Sequence, residues 1–215
     1  MKIKVPDITL VATDCTNKIN ETVKVLIDSS EKMDFGAIKL LSHQKLDNLP
    51  EYIQFEEIDK LDTINKYNYF MFIELGNHIQ TSYAMTIQHD AGILHPELFD
   101  KNWLNFDYLG APWKIVENSY MANNGERARV GNGGFSLRSK LLMNIPKKHA
   151  WSLRQEQGYA NEDGNVCCYW RKELLELGIK YSPVEVAAHF SYENPVPENQ
   201  GIKKFFGYHK HLPGG

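Results

Sequence analysis

The sequence predicts an α/β fold in which a mostly parallel central sheet is flanked by helices. Three observations carry that expectation. Apolar runs of strand length alternate with helix-periodic segments through the first half of the chain. Two acids, Asp14 and Asp90, each follow such a run closely. In parallel sheets, ligands gather outside these carboxyl ends of strands. Finally, 215 residues, 42% hydrophobic and 12% aromatic, suffice for one domain with a sizeable core.

Taken in order, Ile8-Thr-Leu-Val-Ala12 is a short apolar run ended by Thr13-Asp14, the pattern of a buried parallel strand. Ile19, Val23, Leu26 and Ile27 then share one helical face. Residues 37–41 read as a second strand and 52–55 as a weaker third. Tyr67, Phe70, Met71, Leu75 and Ile79 recur at helical spacing, and 83–87 form another strand that closes on Gln88-His-Asp90. Residues 103–113 are aromatic-rich and end at Gly110-Ala-Pro-Trp113, while the polar stretch 114–129 reads as a mobile loop. A helix is expected from about Asn161 to Leu177, stopped by Gly178. Residues 179–181 are a strand candidate, and Phe205-Phe206 should dock the tail that carries His209 and His211 onto the body. The ending His211-Leu-Pro-Gly-Gly215 looks like a linker, which would make residues 1–215 a single N-terminal domain of something longer.

Bulk chemistry narrows the function classes. A net charge of −3 and a pI of about 6.2 give no electrostatic case for nucleic acid. Cys15, Cys167 and Cys168 are odd in number and lack zinc spacing, so reduced thiols in a cytoplasmic setting are expected. The N-terminus lacks a signal-peptide core, and no run approaches the ~20 apolar residues of a membrane span. A soluble cytoplasmic protein follows.

The chemistry-bearing residues lie in three places. Val130-Gly-Asn-Gly-Gly-Phe-Ser-Leu-Arg-Ser139 packs three glycines into four positions, which lets bare backbone approach another molecule; its plain reading is a turn into a helix near Ser139. It is neither a Walker loop nor a dinucleotide fingerprint. In Asn161-Glu-Asp163, an amide and two acids suit a capped helix start, and equally a rigid mount for a base. Gln88-His-Asp90 offers oxygen and imidazole donors of the kind Mn²⁺ accepts; an isolated Asp there is commonly a turn former. Arg127, Arg129 and Arg138 fit either surface charge or diphosphate contacts.

These segments, in this order, resemble the GT-A glycosyltransferases, and specifically a little-characterised glycosyltransferase-like family of bacteria and large viruses. The resemblance runs through Val11-Ala-Thr-Asp14, Ile87-Gln-His-Asp90, Asp107-Tyr-Leu-Gly-Ala-Pro-Trp113, the glycine-rich segment, Asn161-Glu-Asp163, Phe190-Ser-Tyr-Glu193 and Phe206-Gly-Tyr-His209. It implies a Rossmann-like GT-A domain with a small antiparallel acceptor-side portion. It implies a nucleotide-sugar donor, with uridine diphosphate the commonest carrier, and a polysaccharide, lipid-linked or protein-linked glycan as acceptor. Gln88-His-Asp90 is similar to the D-x-D metal motif, with Gln88 in place of its first acid, and His209 to the C-terminal metal ligand. Asp90 and His209 would thus hold Mn²⁺ or Mg²⁺. Thr13, Asp14, Gln88, His89 and Asp90 would line the donor site, and Trp113, Asn132, Gly133 and Gly134 the acceptor side. Asn161-Glu-Asp163 is similar to the x-E-D motif, making Asp163 the base with Glu162 beside it, in an inverting single displacement. Two other classes stay open: a glycoside hydrolase using paired carboxylates, and a carbohydrate-binding module without chemistry.

Overall fold

The computed structural model describes residues 2–116, 120–155 and 161–213. The chain opens with β1 (Ile3–Thr13), α1 (Ile19–Lys32), β2 (Met33–Ser42) and β3 (Gln54–Glu57). Ile8 and Leu10 of β1 are fully buried, and Ile19, Val23 and Leu26 turn the inner face of α1 onto the sheet. α2 (Ile64–Tyr69) passes into a π-helical turn (Phe70–Glu74) and a 3₁₀ turn (Leu75–His78), followed by β4 (Tyr83–Ile87). These elements match the predicted alternation, although β1 and β2 run well beyond the apolar runs that announced them.

Next come β5 (Ala91–Ile93), β6 (Tyr108–Leu109), β7 (Ala111–Pro112), β8 (Val130–Gly131) and β9 (Phe135–Ser139), which leads into α3 (Lys140–Lys148). The main sheet has the order β3-β2-β1-β4-β9-β6. Its first four strands are parallel, whereas β9 runs antiparallel to β4 and β6 antiparallel to β9. The sheet is therefore mixed. After β4 the chain wanders along the carboxyl edge instead of crossing back through a helix. It re-enters beside Ile87, the end of β4, at Phe135. A strand entering at that edge has to run downwards. The glycine turn accordingly leads into a strand; the helix begins only after Ser139, whose hydroxyl caps Leu142 N at 3.0 Å.

The expected helix over 161–177 is interrupted. It consists of α4 (Glu162–Gly164), a π-helical turn (Asn165–Tyr169) and α5 (Arg171–Glu176), because Trp170 N bonds Asn165 O, five residues back. Gly178, at φ +87°, ends it as predicted, with Ile179 N reaching Leu174 O. Residues 179–181 contribute one isolated bridge, Tyr108 to Tyr181, rather than a strand. α6 (Val184–Phe190) then leads to β10 (Ser191–Tyr192) and β11 (Gly207–His209), which joins a small sheet of order β10-β11-β5. Of the stretch 114–129, residues 117–119 lie outside the described residues, as do 214–215 of the expected linker. No helix among the described residues is long and apolar enough to cross a membrane.

An aromatic cluster fixes the tail. Phe135 of β9 stacks on Phe190 at 5.1 Å, and Trp103 meets Phe206 edge-on at 5.1 Å. Phe205 and Phe206 are buried, as the sequence predicts. Burying each side chain contributes roughly 1.5–3 kcal/mol. Gly207 can have no side chain here, since a Cβ would lie 2.3 Å from the Phe135 ring. This packing delivers His209 to the edge where β4 ends.

Candidate functional site

His209 is buried on β11 and stands against the segment after β4. Its Nε2 lies 3.2 Å from Gln88 Oε1 and 3.4 Å from Asp90 Oδ1; its Nδ1 lies 3.3 Å from Glu193 Oε1. Tyr67, on α2, orients the Gln88 amide by accepting from its Nε2 at 2.7 Å. Both imidazole nitrogens therefore face oxygens. Burial disfavours the imidazolium, but hydrogen bonds with Asp90 and then Glu193 outweigh that and raise the His209 pKa. The contact with His209 in turn holds the Asp90 carboxyl below the usual carboxylate range, against the opposing effect of burial.

The cluster offers three donors of the kinds a divalent cation accepts. Asp90 Oδ1 is buried with only the long 3.4 Å contact to His209 Nε2, and the Gln88 amide oxygen converges on the same nitrogen. A carboxylate on Nδ1, as Glu193 provides, leaves Nε2 free to ligate when the ring is neutral. The set is small. Among the described residues no group of three or more His, Cys, Asp and Glu side chains is placed to hold a metal.

Asp163, in the first turn of α4, is half-buried and faces a cavity of about 400 Å³ shared with Trp113, Tyr120, Glu193 and Lys210. Its Oδ1 accepts from Gly164 N at 2.8 Å and its Oδ2 from Gly133 N at 3.3 Å. Burial, reinforced by the neighbouring Glu162 charge, pushes its pKa up to about 6. Glu162 itself turns inward. It is 4% exposed, and its two oxygens receive Arg138 Nη1 and Nη2 at 2.8 and 3.0 Å.

The glycines serve the protein's own side chains rather than an open surface. A Cβ on Gly133 would lie 1.6 Å from Glu162 Oε1, and one on Gly134 2.1 Å from His209 Nε2. Asn132, at φ +77°, turns the chain there and is buried; its Oδ1 accepts from Gly134 N at 2.9 Å. Gly131 is covered by the Trp113 ring, which stacks on Tyr120 at 4.3 Å and lines the cavity with it.

A second cavity, of about 310 Å³, opens at the end of β1 and is lined by Thr13, Asp14, Thr16, Tyr67, Gln88 and His89. Within it, the Asp14 carboxylate already accepts from Thr16 N, Thr16 Oγ1 and Thr22 Oγ1 at 2.7, 2.7 and 2.5 Å, which ties the start of α1 to the strand. Gln88 lines this cavity and Glu193 the first, so the Gln88–His209–Glu193 chain stands between the two. A larger cavity of about 940 Å³ lies beyond α2, lined by residues such as Lys66, Tyr69 and Leu153, and contains none of these groups.

The structure thus joins Asp90 to His209 and sets Asp163 one glycine away. It takes the three arginines out of play for a diphosphate. Arg138 pairs with Glu162, Arg129 Nη2 with Glu198 at 2.8 Å, and Arg127 donates to Val116 O. Sequence reasoning gave no role to Tyr67, Glu193 or Lys210. Tyr67 hides among helical core positions, whereas Glu193 closes one of the quoted segments and could have been marked.

Comparison with known proteins bears on the fold. A family model described as "Protein of unknown function (DUF5672)" matches residues 51–209. The galactosyltransferase LgtC, solved in complex with donor and acceptor sugar analogues, superposes with a TM-score of 0.56 at 12% identity over 95% of this chain and 87% of that one. An active-site mutant of LgtC gives 0.53 at 13% identity, over 95% and 88%. No curated protein matches. At such identities the likeness shows a shared α/β fold of GT-A type.

Proposed function

The chain belongs to the DUF5672 family, whose function is unknown, and we propose that it is a glycosyltransferase that moves a sugar from a nucleotide-diphosphate donor to a glycan hydroxyl. The observation that carries this reading is the sequence of compartments along the sheet edge. A cavity at the end of β1 suits a nucleotide, a cluster of cation donors follows, and a second cavity holds a carboxylate of raised pKa. Donor, diphosphate and acceptor need that order. The GT-A type of fold supports it.

Asp90 and His209, with Gln88 Oε1, would hold a divalent cation such as Mn²⁺. When bound, it supplies Lewis-acid stabilisation of the departing nucleoside diphosphate. The rest of the chemistry belongs to the chain. Asp163, with a pKa of about 6, is mostly ionised at neutral pH yet basic enough to take the acceptor hydroxyl proton, a contribution of roughly 10²–10⁴-fold. Gly133 N–H and Gly164 N–H hold its carboxylate in place as the proton arrives. Glu162 is spoken for by Arg138, and Glu193 by His209 and Lys210. Among the described residues, Asp163 is the carboxylate of this cavity that no cation pairs. The displacement we propose is a single one, inverting at the anomeric carbon, with Asp163 acting as base and not as nucleophile. Trp113 and Tyr120 give the acceptor cavity an aromatic wall. Thiols that form no disulfide, Cys15, Cys167 and Cys168, suit a reducing cytoplasm.

The test is a thermal-shift screen of nucleotide sugars, uridine diphosphate sugars first, with and without Mn²⁺, followed by a transfer assay on a panel of glycan acceptors. A ligand at 100 times its Kd stabilises the fold by ~2.7 kcal/mol. Selective stabilisation by one donor, and an anomerically inverted product that Asp163→Asn does not form, are expected. Hydrolysis of glycosides without any nucleotide, or donor binding without transfer to any acceptor, would overturn the reading.

A further inference from the structure

The buried pair Arg138–Glu162 is more elaborate than a structural ion pair requires. Arg138, on β9, is 2% exposed; it donates Nε to Ser136 Oγ at 2.9 Å and lies over the Tyr108 ring. Its other nitrogens fork onto both Glu162 oxygens, which fixes the carboxylate in one plane. Glu162 N donates to Asn68 Oδ1 at 3.3 Å, so the backbone at the start of α4 is held from α2 as well. Gly133 has no side chain where the Glu162 carboxylate passes, and its N–H meets the next residue's carboxylate, Asp163 Oδ2. A long-range pair thereby fixes a turn of three residues that has no side-chain cap of its own.

We propose that Arg138 and Glu162 are a positioning pair: they clamp the first turn of α4 onto β9 so that the Asp163 carboxylate is presented to the cavity against Gly133 N–H. The inference rests on the reading of Asp163 as the base for its purpose, but its physical content does not need a substrate. Neither residue lines the cavity, so neither is a catalytic residue. The pair also acts through charge. The titratable and charged groups that face Asp163 are Glu162 in its own turn, Cys167 in the next and Arg138 on β9. Among the described residues they are joined by Tyr108 on β6, Glu193 beyond β10, and Lys114, Tyr120, Cys168, Tyr169 and Lys210 on the cavity wall. Glu162 is the nearest of these in sequence, and its charge is the foremost that makes ionising Asp163 harder, with Arg138 opposing.

The experiment follows the Gly133 amide by ¹⁵N–¹H NMR through a pH titration of the labelled full chain. The wild-type signal should titrate near pH 6, and the response should vanish in Asp163→Asn. In Glu162→Gln, which keeps the shape and drops the charge, the midpoint should fall by roughly one pH unit. Arg138→Met with Glu162→Leu replaces both charges by apolar groups, an exchange that buried pairs often tolerate. There the fold should persist while the Gly133 response loses at least about half its amplitude, because Asp163 is released. A Gly133 amide that ignores pH in the wild type would overturn the proposal. So would a folded variant of either kind with the wild-type midpoint and full amplitude. If no donor sugar is transferred yet Gly133 responds as described, the pair stands and the transferase reading alone falls.

Discussion

Asp163→Asn should melt at a higher temperature than the wild type at neutral pH, and should do so while losing transfer. The carboxyl has a folded pKa of about 6 against an ordinary 3.8, because burial and the Glu162 charge oppose its ionisation. A group raised on folding lends stability below its unfolded pKa and loses it as pH rises through its folded pKa. Between roughly pH 4 and 6 the wild type therefore forfeits up to ~3 kcal/mol, and above pH 6 the penalty is constant. Asparagine never ionises, so it escapes the penalty. It keeps one oxygen for Gly164 N but turns an NH₂ towards Gly133 N, and losing that 3.3 Å bond costs about 1 kcal/mol. The net gain at pH 7.5 is ~1–2 kcal/mol, a rise in Tm of roughly 2–8 °C for a chain of this size. At pH 4 the gain should vanish or change sign. Calorimetry of both proteins from pH 4 to 8 measures the difference. A Tm difference that stays flat with pH, or a variant that melts lower at pH 7.5, would refute the environment ascribed to Asp163.

Other consequences can be checked alongside. Gly134→Ala sets a methyl 2.1 Å from His209 Nε2, so the ring must leave its donors; stabilisation by Mn²⁺ should disappear in a thermal-shift titration. A cation at the Gln88–Asp90–His209 cluster must displace the Nε2 proton. Stabilisation by Mn²⁺ should accordingly strengthen as pH rises through the elevated His209 pKa, and His209→Ala should abolish it. Phe206→Ala removes a fully buried ring from the Trp103–Phe135–Phe190 cluster; a loss of about 3–5 kcal/mol by denaturant unfolding is expected.

How much of this could be read from the residues depends on the range of the interaction. The first four strands and α1 are written in local periodicity, so alternation alone located them. The downward direction of β9 is not local. It follows from where the chain re-enters the sheet, which no spacing in Val130-Gly-Asn-Gly-Gly-Phe135 records. The π-helical turn after Gly164 is equally hidden, since the buried Asn165 at its start is held by Arg154 O, a partner 11 residues away. At the site, residue types were legible and their orientations were not. Adjacent Glu162 and Asp163 look alike in sequence, yet α4 sends one inward to an arginine and the other outward to a cavity. Arg138 reads as a surface or ligand-binding cation, and only its neighbours on β9 and β6 show it to be buried. Glu193 and Tyr67 escaped because their partners, His209 and Gln88, lie 16 and 21 residues away.

The glycine-rich turn deserves its place in the motif for a reason other than openness. Gly133 N–H holds Asp163 and Gly133 Cα admits Glu162, while Gly134 Cα admits His209 and its carbonyl accepts from Gln88 N at 2.9 Å. On the proposed reading, the two residues would link the base to the cation cluster through about one peptide unit. His209 faces oxygens from both ring nitrogens, an arrangement that favours the imidazolium and raises its pKa. On the proposed reading, a cation at the cluster would take the place of the Nε2 proton beside Gly134, the residue next to the Gly133 N–H that supports Asp163. Donor-side occupancy should thus be felt at the base electrostatically, as added positive charge lowering the pH at which it ionises. A Gly133 amide titration moved to lower pH by Mn²⁺ would reveal that coupling, and one indifferent to Mn²⁺ would show that the two sides act independently.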